Sequence, residues 1–164
     1  RRRGILTNRD ECRSPMPWHG GPHAGFSPPD APETWLPLHP QHAVMNVAAQ
    51  REDQTSVLTS YRRMLRLRSQ NLALSAGHLE LLDPRADAKT VFAYRRLYED
   101  TERQESAEIF LNFSKREVPI DLRHLPSGAA ARLYSNLHDA PVAARGRHVL
   151  RPWEGAVVLR DHSE

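Results

Sequence analysis

The sequence predicts an α+β chain in which an irregular leader and one amphipathic helix precede an antiparallel β-sandwich. Composition marks the leader, because eight of the thirteen prolines and four of the eight glycines precede Gln41. Periodicity marks the rest: apolar residues recur every three or four positions after Asp53, and seven short β-type runs separated by turn material follow Gly77.

In the leader, the stretch CRSPMPWHGGPHAGFS (Cys12 to Ser27) has neither helical nor strand period. So much irregular backbone in a compact protein usually forms a functional loop resting on a scaffold. Nothing before Asp53 is patterned to make its own core. Pro15 and Pro17 hold themselves and their predecessors extended, which fixes how Trp18 projects. Trp18 suits an apolar platform or packing, and packing is the main expectation for Trp18, Phe26 and Trp35.

The helix is expected over Asp53 to Asn71, with Val57, Leu58, Tyr61, Met64 and Leu65 on one side and Arg62, Arg63, Arg66 and Gln70 mostly opposite. Asp53 or Thr55 can cap its start, and Gly77 lies beyond its end. Such a helix needs a surface to lie on. The expected strands are residues 78–82, 90–98, 108–113, 118–122, 131–135, 148–151 and 155–160. Together they point to a sandwich of roughly 85 residues. Tyr94, Phe110 and Phe113 fall in strand patterns where burial is expected, leaving Trp153 in the RPWEG turn as the plausible exposed aromatic. A structural, capping role is favoured over a ligand-binding one for this domain.

Hydrophobic residues make up 39% and charged residues 26% of the 164, enough for a globular core. The net charge is +3, and outside RRRG and YRRMLRLR the basic residues are interleaved with Asp and Glu, so no nucleic-acid partner is expected. The single Cys12 excludes an internal disulfide. His23, His39 and His42 lack ligand spacing and an acidic partner, so neither a metal nor another cofactor is expected. No apolar run suggests a membrane span. Arg1 in place of Met suggests a chain lacking its N-terminal part, and the unpaired cysteine favours a cytoplasmic location.

The ordered set NRDECRSPMPWHGGPHAGFS, TWLPLHP and NVAAQ is similar to the late segment of the α-glucosidases of glycoside hydrolase family 13, the α-amylase superfamily, of the oligo-1,6-glucosidase or maltase type. The family pattern runs R-D-x-x-R-[ST]-P-M-x-W, A-G-F-[ST], W-[IL]-P and N-V, then a helix and a C-terminal β domain. The resemblance orders these features correctly over nearly the whole chain. It implies that residues 1–74 are the last loop and helix of a (β/α)8 barrel, and that residues 75–164 are the family's β-sandwich. Loops after barrel strands build the active site of that fold.

The resemblance further implies that Arg13 pairs with an aspartate from an early barrel loop and grips the terminal glucose of an α-linked glucoside. Its fixed, permanently charged fork of donors suits that task. Arg9 and Asp10 match the pattern at a spacing that suits loop bracing, and Trp18 also falls within it. His19 departs from the Asp common at that place, which bears on local bracing and substrate preference. The catalytic Asp, Glu and second Asp of this retaining chemistry lie earlier in the family's chain, so no catalytic residue is expected here and this chain alone is expected to be inactive. The missing barrel is then an intramolecular partner. Transglycosylating or isomerising members share the same carboxylates, while non-catalytic relatives serve as ectodomains of amino-acid transporters. A free-standing sandwich with an unrelated leader is the remaining alternative.

Overall fold

The computed structural model describes residues 12–83, 90–124, 131–137, 142–143 and 146–161. It divides into two compact units, residues 1–59 and 60–164, with the division falling inside a helix. The first unit is loops and turns around one short helix, α1 (Val47–Glu52). Its buried apolar residues include only Ala24 and Val47 from the hydrophobic core set.

The helix expected over Asp53 to Asn71 is present as α2, and α1 precedes it as a short helix that the periodicity did not announce. Asn46 caps α1, its side-chain oxygen accepting the Ala49 amide at 2.9 Å. A turn then interrupts the chain, and α2 (Val57–Gln70) starts at Ser56, whose hydroxyl oxygen accepts the Thr59 amide at 3.1 Å. Asp53 folds the turn instead of capping the helix, accepting from the amide and hydroxyl of Thr55. A side-chain oxygen three residues before the N–H it accepts is the geometry that starts a helix, and Ser56 rather than Thr55 has it. A short helix, α3 (Leu72–Ser75), follows.

The second unit is built on a six-stranded antiparallel sheet in the order β1-β2-β3-β8-β5-β6. Its strands are β1 (His78–Leu82), β2 (Val91–Glu99), β3 (Gln104–Asn112), β5 (Arg132–Ser135), β6 (Val142–Ala143) and β8 (Gly155–Asp161). A two-stranded antiparallel ribbon joins β4 (Val118–Asp121) to β7 (Arg147–Leu150). Seven of the eight strands follow the sequence pattern; β6 does not stand out because it has only two residues.

Side-chain alternation gives the large sheet two different faces. On one, Val91, Ala93, Phe110, Leu133, Ala156 and Val158 pack with Val118, Ile120, Leu122 and Leu150 from the ribbon and its following turn. The layer opposite the main sheet is thus a ribbon rather than a second full sheet. On the other, Ala107 and Ile109 pack with Leu67 of α2 and Ala73 and Leu74 of α3. Two charged side chains fasten α3 there: Glu105 accepts the Ala73 amide, and Arg96 donates to the Ala73 and Gly77 carbonyls at 2.9 and 2.7 Å. Gly77 allows this closeness, since a Cβ would come within 2.4 Å of the Ala73 carbonyl oxygen and 2.9 Å of that of Leu97.

Candidate functional site

The Arg13 loop is knotted by backbone hydrogen bonds. The Trp18 and His19 amides both donate to the Ala24 carbonyl, at 2.8 and 3.2 Å, closing a tight turn over Pro22–Gly25. His23, Ala24 and Gly25 have φ of 47°, 54° and 69°, three successive residues in the left-handed region. For His23 and Ala24 that conformation is unfavourable and persists only where the surroundings impose it. The surroundings here are the fully buried Ala24 methyl and the His19 ring, which lies so close to Gly25 that a Cβ there would meet its Nε2 at 2.4 Å.

The same loop docks on the start of α1. Val47 and Ala48 donate their amides to the carbonyls of Pro17 and Trp18, each at 3.0 Å. These amides have no partner inside a helix, and the loop supplies one. Asn46, itself buried, adds side-chain bonds to the carbonyls of His42 and Ala43. Pro17-Trp18, Ala24-Gly25 and Asn46-Val47, three of the segments that carry the family pattern, therefore converge on one knot. Their common work is to fix a loop.

Arg13 stands just before that knot, exposed, and its guanidinium has no ion-pair partner among the described residues. Trp18 is about half exposed, with Trp35 almost fully so at 96%. The packing expected of Trp18, Phe26 and Trp35 is thus not made among the described residues. Arg9 and Asp10 lie outside the described residues. No group of three His, Cys, Asp or Glu side chains is gathered as a metal site among the described residues. No described helix is long and apolar enough to cross a membrane.

The second unit holds two buried carboxylates that the strand pattern concealed. Glu108, fully buried on the ribbon side of β3, accepts from Arg95 at 2.9 Å and Arg160 at 2.6 Å, and bonds His124 at 2.9 Å. Arg160 is only 7% exposed; burial lowers its pKa while the Glu108 charge opposes that shift. Glu154 is buried in the turn between β7 and β8, where it accepts from Ser135 and from the amide and guanidinium of Arg151. Burial pushes the Glu154 carboxyl up, but the bonds from Arg151 and Ser135 outweigh it and hold the group below its ordinary value. These are structural networks: each carboxylate is enclosed by its own donors. The signal available in the sequence was a glutamate in phase with Phe110 and Asn112 on a core-facing strand side.

Residues 2–77 match the catalytic domain of the α-amylase family. A probable oligo-1,6-glucosidase of Bacillus subtilis is 30% identical over 153 residues, 92% of this chain and 26% of that protein. A glucan 1,6-α-glucosidase of Streptococcus dysgalactiae is 34% identical over 150 residues, 92% of this chain and 25% of the relative. Among solved structures, a trehalulose synthase from Pseudomonas mesoacidophila superposes with a TM-score of 0.69 at 28% identity, covering 94% of this chain and 26% of that one. The chain spans about a quarter of the length of the relatives it matches.

Proposed function

From its membership of the α-amylase family of glycoside hydrolases, we propose that this chain supplies one pocket wall, the last barrel helix and the C-terminal β domain of an α-glucosidase. Residues 1–74 complete the (β/α)8 barrel and residues 75–164 form the β domain, the other barrel units coming from chain outside this sequence. The enzyme cleaves terminal α-glucosidic bonds of short glucosides with retention, its paired carboxylates lying outside these residues. The observation that carries the reading is the hydrogen-bonded knot that holds Arg13 exposed at its edge, without an ion pair among the described residues.

In that pocket Arg13 donates to sugar hydroxyls and pairs with a carboxylate across the site, closing it behind one glucose unit. Trp18 forms part of the wall. Helix α2 supports the same reading. Met64 and Leu67 face the sheet of the second unit, whereas Val57, Tyr61 and Leu65 form a separate exposed stripe. An apolar stripe of this kind is the face a barrel helix turns toward barrel strands.

The test is glucose release from maltose, isomaltose and sucrose by the full-length protein. Arg13→Ala is expected to lower kcat/KM by about two orders of magnitude or more, roughly 3 kcal/mol of transition-state stabilisation. Hydrolysis unchanged by Arg13→Ala removes Arg13 from the site, and no hydrolysis by the wild type overturns the glucosidase reading. The likeness to a trehalulose synthase favours one second reading, an isomerising enzyme. Conversion of sucrose into a reducing disaccharide with little free glucose identifies that outcome.

A further inference from the structure

The turn between β7 and β8 is braced far beyond what a four-residue connection needs. Arg151 donates its amide to Glu154 Oε2 at 2.7 Å, and its carbonyl accepts from Asn112 Nδ2 at 2.8 Å. The Trp153 amide donates to the Ser114 carbonyl at 3.2 Å, and the Trp153 carbonyl accepts from Asn136 Nδ2 at 3.2 Å. The Glu154 amide donates to the Arg151 carbonyl at 3.1 Å, its carbonyl accepts from the Asn112 amide at 2.9 Å, and its carboxylate holds Ser135 and Arg151. Apart from Pro152, which has no N–H, the turn is fixed residue by residue.

What this bracing holds in place is Trp153 at a φ of 60°, with its side chain 55% exposed. A bulky residue in the left-handed region is an outlier, and glycine would adopt the same backbone without strain. The turn's backbone alone therefore does not account for an indole at this place. A second exposed aromatic stands beside it. Leu111 pairs with Gly155 in the sheet, which puts the turn after β3 next to the turn before β8, and Phe113 in that neighbouring turn is 61% exposed. Lys115 and Arg116, which follow Phe113 in that turn, are exposed, and Asn136 is bonded to the Trp153 carbonyl.

We propose that Trp153 and Phe113 form a carbohydrate-binding platform on the β domain, outside the Arg13 loop, that takes a neutral α-linked glucan chain. A pyranose presents an apolar C–H face and a rim of hydroxyls, so it fits a flat indole flanked by amide and cationic donors. The rigid turn means that the ring is ordered before the ligand arrives, which lowers the cost of binding. The choice of an α-glucan rests on the function proposed above; the platform itself rests on the turn.

The experiment is electrophoresis of the full-length protein through gels with and without amylopectin, with maltoheptaose as the soluble competitor. Wild type is expected to be retarded by amylopectin, Trp153→Gly to lose at least about fivefold of that affinity, and Trp153→Phe to regain most of it. Because glycine relieves the backbone, Trp153→Gly should melt at the same temperature as wild type or higher, with unchanged kcat/KM on maltose. Equal retardation of wild type and Trp153→Gly overturns the proposal, as does absence of retardation. A lower melting temperature for Trp153→Gly overturns it too, because the ring is then packed against other parts of the protein. Maltose hydrolysis is read separately, so failure of the glucosidase reading leaves the retardation result standing by itself.

Discussion

The two units achieve order by opposite means. Among its described residues the first buries little apolar surface and is held by directional bonds: the knot of Pro17, Trp18, Ala24 and Val47, and the cap and carbonyl contacts of Asn46. The second buries a continuous apolar cluster and uses polar groups only where they are enclosed, as at Glu108 and Glu154. Bonds of the first kind fix a shape and add little net stability each; burial of the second kind supplies most of the folding free energy.

The largest effect that separates them is expected at Glu108. Glu108→Leu leaves the buried Arg160 without its counter-charge and should cost about 3–5 kcal/mol in urea unfolding. Adding Arg160→Met should recover most of that loss, since the pair is then replaced by apolar groups of similar bulk. A cost below about 1 kcal/mol for Glu108→Leu alone would mean that the cluster relaxes freely and is not the second unit's fixed point.

In the first unit the corresponding variant is Asn46→Ala, expected to cost about 1–2 kcal/mol through loss of the cap and of the bonds to His42 and Ala43. Faster amide exchange at Ala49, Val47 and Trp18, with exchange in β3 and β8 unchanged, would show that the knot yields as a local unit. Acceleration in both units would erase the contrast between them.

The pattern of apolar residues revealed the second unit's elements because each strand carries its own period of two, and β1 matches the expected residues throughout. The start of β3 escaped, since Gln104 to Ala107 are not apolar enough to announce a strand that pairs with both β2 and β8. Phe113 was expected inside a strand; β3 ends at Asn112, where the Asn112 side chain turns the chain toward Ser114, and Phe113 faces solvent. The six residues of α1 are too few to show a helical period, and at the start of α2 Asp53, Thr55 and Ser56 all suit a cap, so only their three-dimensional bonds select Ser56. In the Arg13 loop the sequence displayed the motif but not its division of labour. Left-handed backbone at His23 and Ala24 has no signature in residue types that usually avoid it.

The smallest effect concerns pH. Glu154 has a folded pKa below its ordinary value of 4.5, so its contribution is present above that value and is lost as pH falls through the lower, folded pKa. Acid titration of stability should show this decline in wild type and a shallower one in Glu154→Gln. Indistinguishable acid limbs would remove Glu154 from the groups that fasten the turn.

The position of α2 sets where this protein can be divided. The sheet's second face is roofed by Leu67, Ala73 and Leu74, and Arg96 and Glu105 clasp α3 from below. A piece beginning at residue 75 would carry the strands with Ala107 and Ile109 bared to water. The smallest excisable β module therefore begins near Ser56, at the cap of α2, rather than at the first strand.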